Sequence, residues 1–173
     1  MTNRPKAIGT AAETAVVRYL AAHGFPAAER RALHGATDLG DITGTPGIVW
    51  EVKGGEAAKD ASDKRVAAWF DEAREEAGNA GATYGFLIVQ RRQKGVRDWW
   101  AVLDVCDLAK LVRCDSREQA SNMHARITLA QLVELLAIAG WTVPPPFTRC
   151  DHGSRPAACA LPTGLIASSA ATR

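Results

Sequence analysis

The chain has 173 residues, 47% hydrophobic and 23% charged, with a formal net charge of +2. That length suits one domain with its own core, and that composition excludes a disordered chain. No apolar run approaches the roughly 20 residues that span a bilayer, and nothing apolar follows the charged start Met1–Lys6 as a secretory signal requires. No membrane association is therefore expected, and the expected location is cytoplasmic. The excess charge lies beyond Val143, where Arg149, Arg155 and Arg173 outnumber Asp151, so residues 1–143 are neutral. A nucleic-acid partner must then be argued from local patches rather than from pI.

In chain order, Ile8 to Ala22 reads as a first helix stopped by Gly24. Glu13 precedes Val16, Val17 and Leu20 by three, four and seven residues, which puts it on the inward face. Two readings of it stay open. Thr10 and Glu13 match the S/T-x-x-E capping box, or the carboxylate points into a site between helix and sheet. Phe25 to Leu33 holds a first strand carrying Arg30 and Arg31, whose side chains leave opposite faces, so one of them can meet phosphate. A glycine-bounded loop, His34 to Gly40, follows.

Gly40 to Lys53 reads as two short strands joined by the turn Gly44-Thr45-Pro46-Gly47. Alternation puts Ile48, Trp50 and Val52 on one face of the second strand and Glu51 and Lys53 on the other. Folded as a hairpin, the segment brings Asp41 towards Glu51. Two carboxylates and an amine then converge beside an apolar sheet, a grouping able to hold a divalent metal. The plainer reading, a surface ion pair of Glu51 and Lys53, sits poorly with the apolar run around them.

Asp60 to Gly78 reads as a second helix with an apolar stripe of Val66, Phe70, Ala73 and Ala77. Its acids Asp71, Glu72, Glu75 and Glu76 read as a solvated face, while Lys59, Lys64 and Arg65 near its start can meet phosphate. Tyr84 to Gln90 is a central strand, and Trp99 to Val105 another. The loop between them carries Arg91, Arg92, Lys94 and Arg97 with no acid before Asp98. That hairpin, with Trp99 and Trp100, fits DNA-backbone binding with stacking, or a charged turn over partly buried tryptophans.

Leu108 to Cys114 is a helical turn, and Arg117 to Arg126 has no assignment. Thr128 to Ala139 is a helix opened by a Thr128/Gln131 capping box and closed by Gly140. It is so apolar that it must bury nearly all round, in its own core or against a second copy. Residues 144–173 are rich in Pro, Ala and Ser and read as a flexible tail. Cys150, His152 and Cys159 there, with Cys106 or Cys114, match no zinc-ligand spacing. Without a signal peptide, the four cysteines are expected to be reduced thiols.

Gly40-Asp41-Ile42, followed ten residues after the aspartate by Glu51-Val52-Lys53, resembles the signature of the PD-(D/E)XK nuclease superfamily. Glu13 in the preceding helix, with Gly24-Phe25 after it, resembles the archaeal-type Holliday-junction resolvases within it. The resemblance covers about residues 8–105. It departs from the family pattern at Gly40, where proline is usual, and Asp38 rivals Asp41 for the aspartate role. The resemblance implies an α/β fold, a mixed central sheet flanked by helices in a restriction-endonuclease-like core, here with an extra C-terminal helix. The domain would be 1–143, with its core at 8–105 and a helical extension over 106–143, before the tail at 144–173.

The implied activity is Mg²⁺- or Mn²⁺-dependent hydrolysis of DNA phosphodiester bonds by a homodimer acting on four-way junctions, in recombination and repair. Glu13, Asp41, Glu51 and Lys53 would form the catalytic set. Asp41, Glu51, the Val52 carbonyl and Glu13 would serve the metal, and Arg30, Arg31, Lys64, Arg91, Arg92, Lys94 and Arg97 the DNA. Two alternatives stand beside it: a restriction- or repair-type nuclease of the same superfamily, and a DNA-binding protein on the same fold without turnover.

Overall fold

The computed structural model describes residues 4–31, 39–112 and 123–143. Among them are α1 (Arg4–Ala22), β1 (Glu29–Arg30), β2 (Ile42–Thr43), β3 (Ile48–Lys53), α2 (Glu56–Lys59), α3 (Asp63–Asn79), β4 (Tyr84–Val89), β5 (Trp100–Asp104), α4 (Val105–Leu111), β6 (His124–Thr128) and α5 (Leu129–Ile138), with a 3-10 turn at Val96–Asp98. A mixed sheet of order β3-β4-β5-β6 forms the centre, parallel between β3 and β4 and antiparallel elsewhere. The parallel pair needs a crossover, and α2 and α3 supply it. No described helix is long and apolar enough to cross a membrane.

Alternation along the strands splits the core in two. Ile48, Trp50, Val52, Phe86, Ile88, Ala101 and Leu103 face one way, onto Val16 and Leu20 of α1, Leu111 of α4, and Leu129, Leu132 and Leu136 of α5. Leu87, Val89 and Val102 face the other way, onto Val66, Phe70 and Ala73 of α3. β4 is buried along its whole length, as a strand covered on both faces must be. Each large side chain fully withdrawn from water here contributes about 1.5–3 kcal/mol.

Several boundaries differ from expectation for local reasons. α1 begins at Arg4, so Thr10 lies inside the helix and cannot cap it; the Thr10 carbonyl accepts from Thr14 Oγ1 at 2.7 Å, an ordinary interior bond. The helix expected over Asp60–Gly78 is α3, which starts three residues later because Ser62 caps it by accepting from the Arg65 amide, and the short α2 precedes it. The first strand is only Glu29–Arg30 among the described residues, and it pairs antiparallel with β2. β2 therefore hydrogen-bonds outward to β1 instead of laddering with β3. β6, unassigned from sequence, completes the sheet against β5. The Thr128/Gln131 capping box forms, and Gly140 ends the last turn with φ 84°. α5 buries one face in its own core, while Ile138 is 67% exposed, so burial is not all-round. The tail, with Cys150, His152 and Cys159, and Cys114 lie outside the described residues.

Trp50 ties this architecture to the turn before β3. It is fully buried, stands edge-on to Phe25 with centroids 6.1 Å apart, and its Nε1 donates to Thr45 Oγ1 at 3.1 Å. The turn also depends on Gly44, whose φ is 79° and whose Cβ, if present, would overlap the Ala27 carbonyl oxygen. Gly44→Ala is expected to lower stability by about 2–3 kcal/mol through strain and displacement of Ala27. Denaturant unfolding checks this; an unchanged midpoint would show that the turn can move without cost.

Candidate active site

The free edge of β3 is where the singled-out residues meet. Asp41 lies alongside it: its amide donates to the Trp50 carbonyl at 2.9 Å, and its Oδ2 accepts from the Val52 amide at 2.7 Å. Gly40 makes the approach possible. Its φ of 83° lies in the left-handed region, and a Cβ there would stand 3.0 Å from the Trp50 carbonyl oxygen. A proline, the residue usual in the resembled motif, is locked near φ −65° and could not adopt this backbone. Asp38 lies outside the described residues.

Glu51 and Lys53 leave the α3 face of β3. Glu51 is 8% exposed, and its Oε1 lies 2.6 Å from Lys53 Nζ. Burial first, then the Glu51 charge, pushes the Asp41 carboxyl up to about 7, against the pull of the Val52 amide. Burial pushes Glu51 up to about 7 as well, against the hydrogen bond and charge of Lys53. The two carboxyls lie close enough for each to shift the other, so they titrate as a pair rather than as separate groups. Burial pulls Lys53 down, but Glu51 and Glu72 outweigh it and its pKa is raised, so it stays an ammonium.

α3 contributes a wall of residues that the sequence alone presents as solvated. Trp69, Glu72 and Glu76 recur at three and four residues and face β3. Lys53 Nζ lies 3.3 Å from Glu72 and 5.8 Å from the Trp69 ring centroid. Glu76 is 8% exposed, and its charge adds to the upward shift of Glu51. The helical period held the signal: these three share one stripe, and an acid on a stripe with a tryptophan is not on the outermost face.

The other predicted residues divide. Glu13 is not in a capping box; it meets Arg30 at 2.7 Å, and only its longer-range charge reaches Asp41. Arg31 braces the approach to Asp41, its Nε donating to the Gly40 carbonyl at 3.0 Å and its amide to the Asp41 carbonyl at 2.8 Å. Lys64 is exposed on the first turn of α3. Arg91 stacks on Trp100 with its guanidinium carbon 3.8 Å from the ring centroid. Arg92 meets Glu56 and Asp60 at 3.0 and 2.7 Å, so the acids absent from its own loop come from α2 and the turn after it. Lys94 is exposed and its carbonyl accepts from Trp99 Nε1; the Arg97 side chain is 71% exposed. Trp99 itself is core, 4% exposed.

Among the described residues, no three His, Cys, Asp or Glu side chains gather into a metal-holding group. What converges is a pair, Asp41 and Glu51. Two hard oxygen donors that still share a proton near neutrality fit a magnesium-type ion, which keeps several waters and displaces protons as it binds. Glu13, held by Arg30, does not join them.

No protein-family model, curated protein or solved structure matches the chain. The class therefore rests on architecture. A mixed sheet flanked by helices is consistent with a generic RNase-H or restriction-endonuclease-like fold, a nuclease-type architecture in general.

The raised carboxyls have a sign. Unfolded, Asp41 and Glu51 titrate near 3.8 and 4.5; folded, both hold protons to about 7. Their contribution to stability is greatest below about pH 4 and is lost as pH rises to about 7. Asp41→Asn keeps an acceptor for the Val52 amide and removes the Asp41 titration, leaving that of Glu51. Without metal, its stability advantage over wild type is expected to grow by about 2 kcal/mol between pH 5 and 8. Parallel stability curves would show that the two carboxyls do not share a proton.

Proposed function

We propose that the protein is a divalent-metal-dependent endonuclease hydrolysing DNA phosphodiester bonds, with four-way or other branched DNA as substrate and a homodimer as the working form. The observation that carries this reading is the convergence of the Asp41 and Glu51 carboxyls at the edge of β3, with Lys53 2.6 Å from Glu51 on the same strand face. Asp41 and Glu51, with the Val52 carbonyl, would hold magnesium or manganese. Such an ion, when bound, neutralises charge on the phosphodiester and makes a coordinated water nucleophilic.

The chain's own residues supply the rest. Lys53 is held as an ammonium, which suits it to orient a water or to steady the charge that develops on phosphorus, and unsuits it as a base. Glu72 and Trp69 keep that ammonium beside Glu51. Glu13 orients Arg30 at the rim for a phosphate. The loop bearing Arg91, Lys94 and Arg97 begins beside Lys53, since the Gln90 amide donates to the Lys53 carbonyl at 2.9 Å. Its cations are thus at the same end of the sheet as the carboxylates. The junction preference and the dimer come from the resemblance. Two sites related by a two-fold axis would match the symmetry of a four-way junction.

A second reading has one observation in its favour. Among the described residues only two carboxylates converge, and Lys53 and Glu13 are both tied in ion pairs, which also suits a DNA-binding protein on this fold that does not cleave. Incubation of labelled junction, flap and linear duplex with magnesium or manganese separates the readings. Paired nicks in the junction are expected, falling on the order of 10²-fold in Asp41→Asn, Glu51→Gln and Lys53→Met. Equal cutting of linear duplex points to another nuclease type. No cutting, with no metal bound at Asp41 and Glu51 by calorimetry, leaves the non-cleaving protein.

A further inference from the structure

We infer that a second cavity, on the β5 side of the start of α3, is a binding site for a phosphate ester. Its volume is about 250 Å³, and Lys59, Gln90, Arg91, Arg92 and Arg126 line it. Four of those five carry positive charge, and no carboxylate is among the described residues lining it. The cations come from three places in the sequence: Lys59 from α2, Arg91 and Arg92 from the loop after β4, and Arg126 from β6. The basic loop after β4 supplies only two of them; the sheet register and α2 bring Arg126 and Lys59 to it. Arg126 sits opposite Val102 on β5, and Trp100 opposite Val89 on β4, so β4, β5 and β6 present one floor towards α2.

The polar groups are arranged as donors. Arg91 is held rigid, its plane on Trp100 at 3.8 Å and its Nη1 donating to the Asp98 carbonyl at 2.9 Å. A stacked guanidinium loses little freedom when it binds an anion. Gln90 accepts from the Gly55 amide through Oε1 at 2.7 Å, which leaves its amide nitrogen to donate. Lys59, Arg92 and Arg126 meet Glu56, Asp60 and Asp63, whose side chains are 67%, 62% and 90% exposed. Ion pairs with carboxylates so open to water are weak and exchange readily for a better anion. Phosphate is that anion, because it accepts several charge-assisted hydrogen bonds at once and guanidinium groups meet it in a two-pronged fashion. The cavity also has an apolar wall of Val66 and Val89, which a bare inorganic ion would leave empty and the carbon skeleton of an ester would cover.

The phosphate can belong to a free nucleotide or to a nucleic-acid strand. The strand source rests on the nuclease reading; the site itself does not. Val89, which lines the cavity, is paired with Lys53, so the two sites are neighbours one strand apart, about 4.8 Å in the sheet.

The full chain in EDTA is titrated calorimetrically with inorganic phosphate, a nucleoside 5′-monophosphate and a short single-stranded oligonucleotide. Saturable binding of the ester is expected, tighter than that of inorganic phosphate. Lys59→Gln and Arg126→Gln, each confirmed folded by melting, should weaken it about tenfold, and Arg74→Gln, on the exposed side of α3, should leave it unchanged. An oligonucleotide bound more tightly than the mononucleotide makes a strand the source, and the reverse makes it a free nucleotide; both keep the site. Absence of saturable binding, or an equal loss in Arg74→Gln, overturns it. Metal and cleavage play no part in the readout, so this result and the cleavage result at Asp41 and Glu51 can fail separately.

Discussion

The free edge of β3 is the constraint on which the rest depends. An edge strand buried on both faces leaves main-chain groups that water cannot reach, and they must be satisfied from within the protein. Asp41 does this twice, through its amide to the Trp50 carbonyl and its carboxylate to the Val52 amide. The same bonds bring its carboxyl beside Glu51 in a place poor in water, where two negative charges cannot both persist. The shared proton is a consequence of how the edge is closed.

That closure makes structure and chemistry hard to separate at Asp41. Its carboxylate already serves the backbone, and Lys53 and Glu13 are already paired. A cation arriving at Asp41 and Glu51 would displace a proton from a site that burial makes costly to ionise, so metal binding and folding stability are linked through one pair. α3 sets the terms of that linkage from the opposite wall. Glu72 and Trp69 retain Lys53 as a cation, and Glu76 adds negative charge behind Glu51.

The two ends of the βαβ unit explain why cations cluster where they do. β3 and β4 run parallel, so Lys53 and Gln90 finish side by side, and α2 with the loop after β4 must gather at that end. Arg91 and Arg92 are thereby placed near Lys59, and β6 adds Arg126. The acids of α2 and early α3 pair with much of this charge, so a cationic cavity lies within a stretch, residues 1–143, that is neutral overall.

Much of this was legible in the sequence. The period-2 pattern of Ile48–Lys53 determined which side chains face which way, because a strand permits only two directions. The glycine-rich turn, the apolar run of β4 and the Thr128/Gln131 box located their elements for equally local reasons. Tertiary structure decided what spacing cannot express. Whether Thr10 caps a helix depends on where that helix starts, and whether Glu13 turns to a metal or to Arg30 depends on β1 passing beside α1. Glu72 and Glu76 looked like a solvated face because their neighbour Lys53 lies on another element, and Arg126 joined Lys59 and Arg91 only through the register of β5 and β6. Local periodicity fixes direction; contacts between residues far apart in the chain fix partners, and the charges at this site take their meaning from partners.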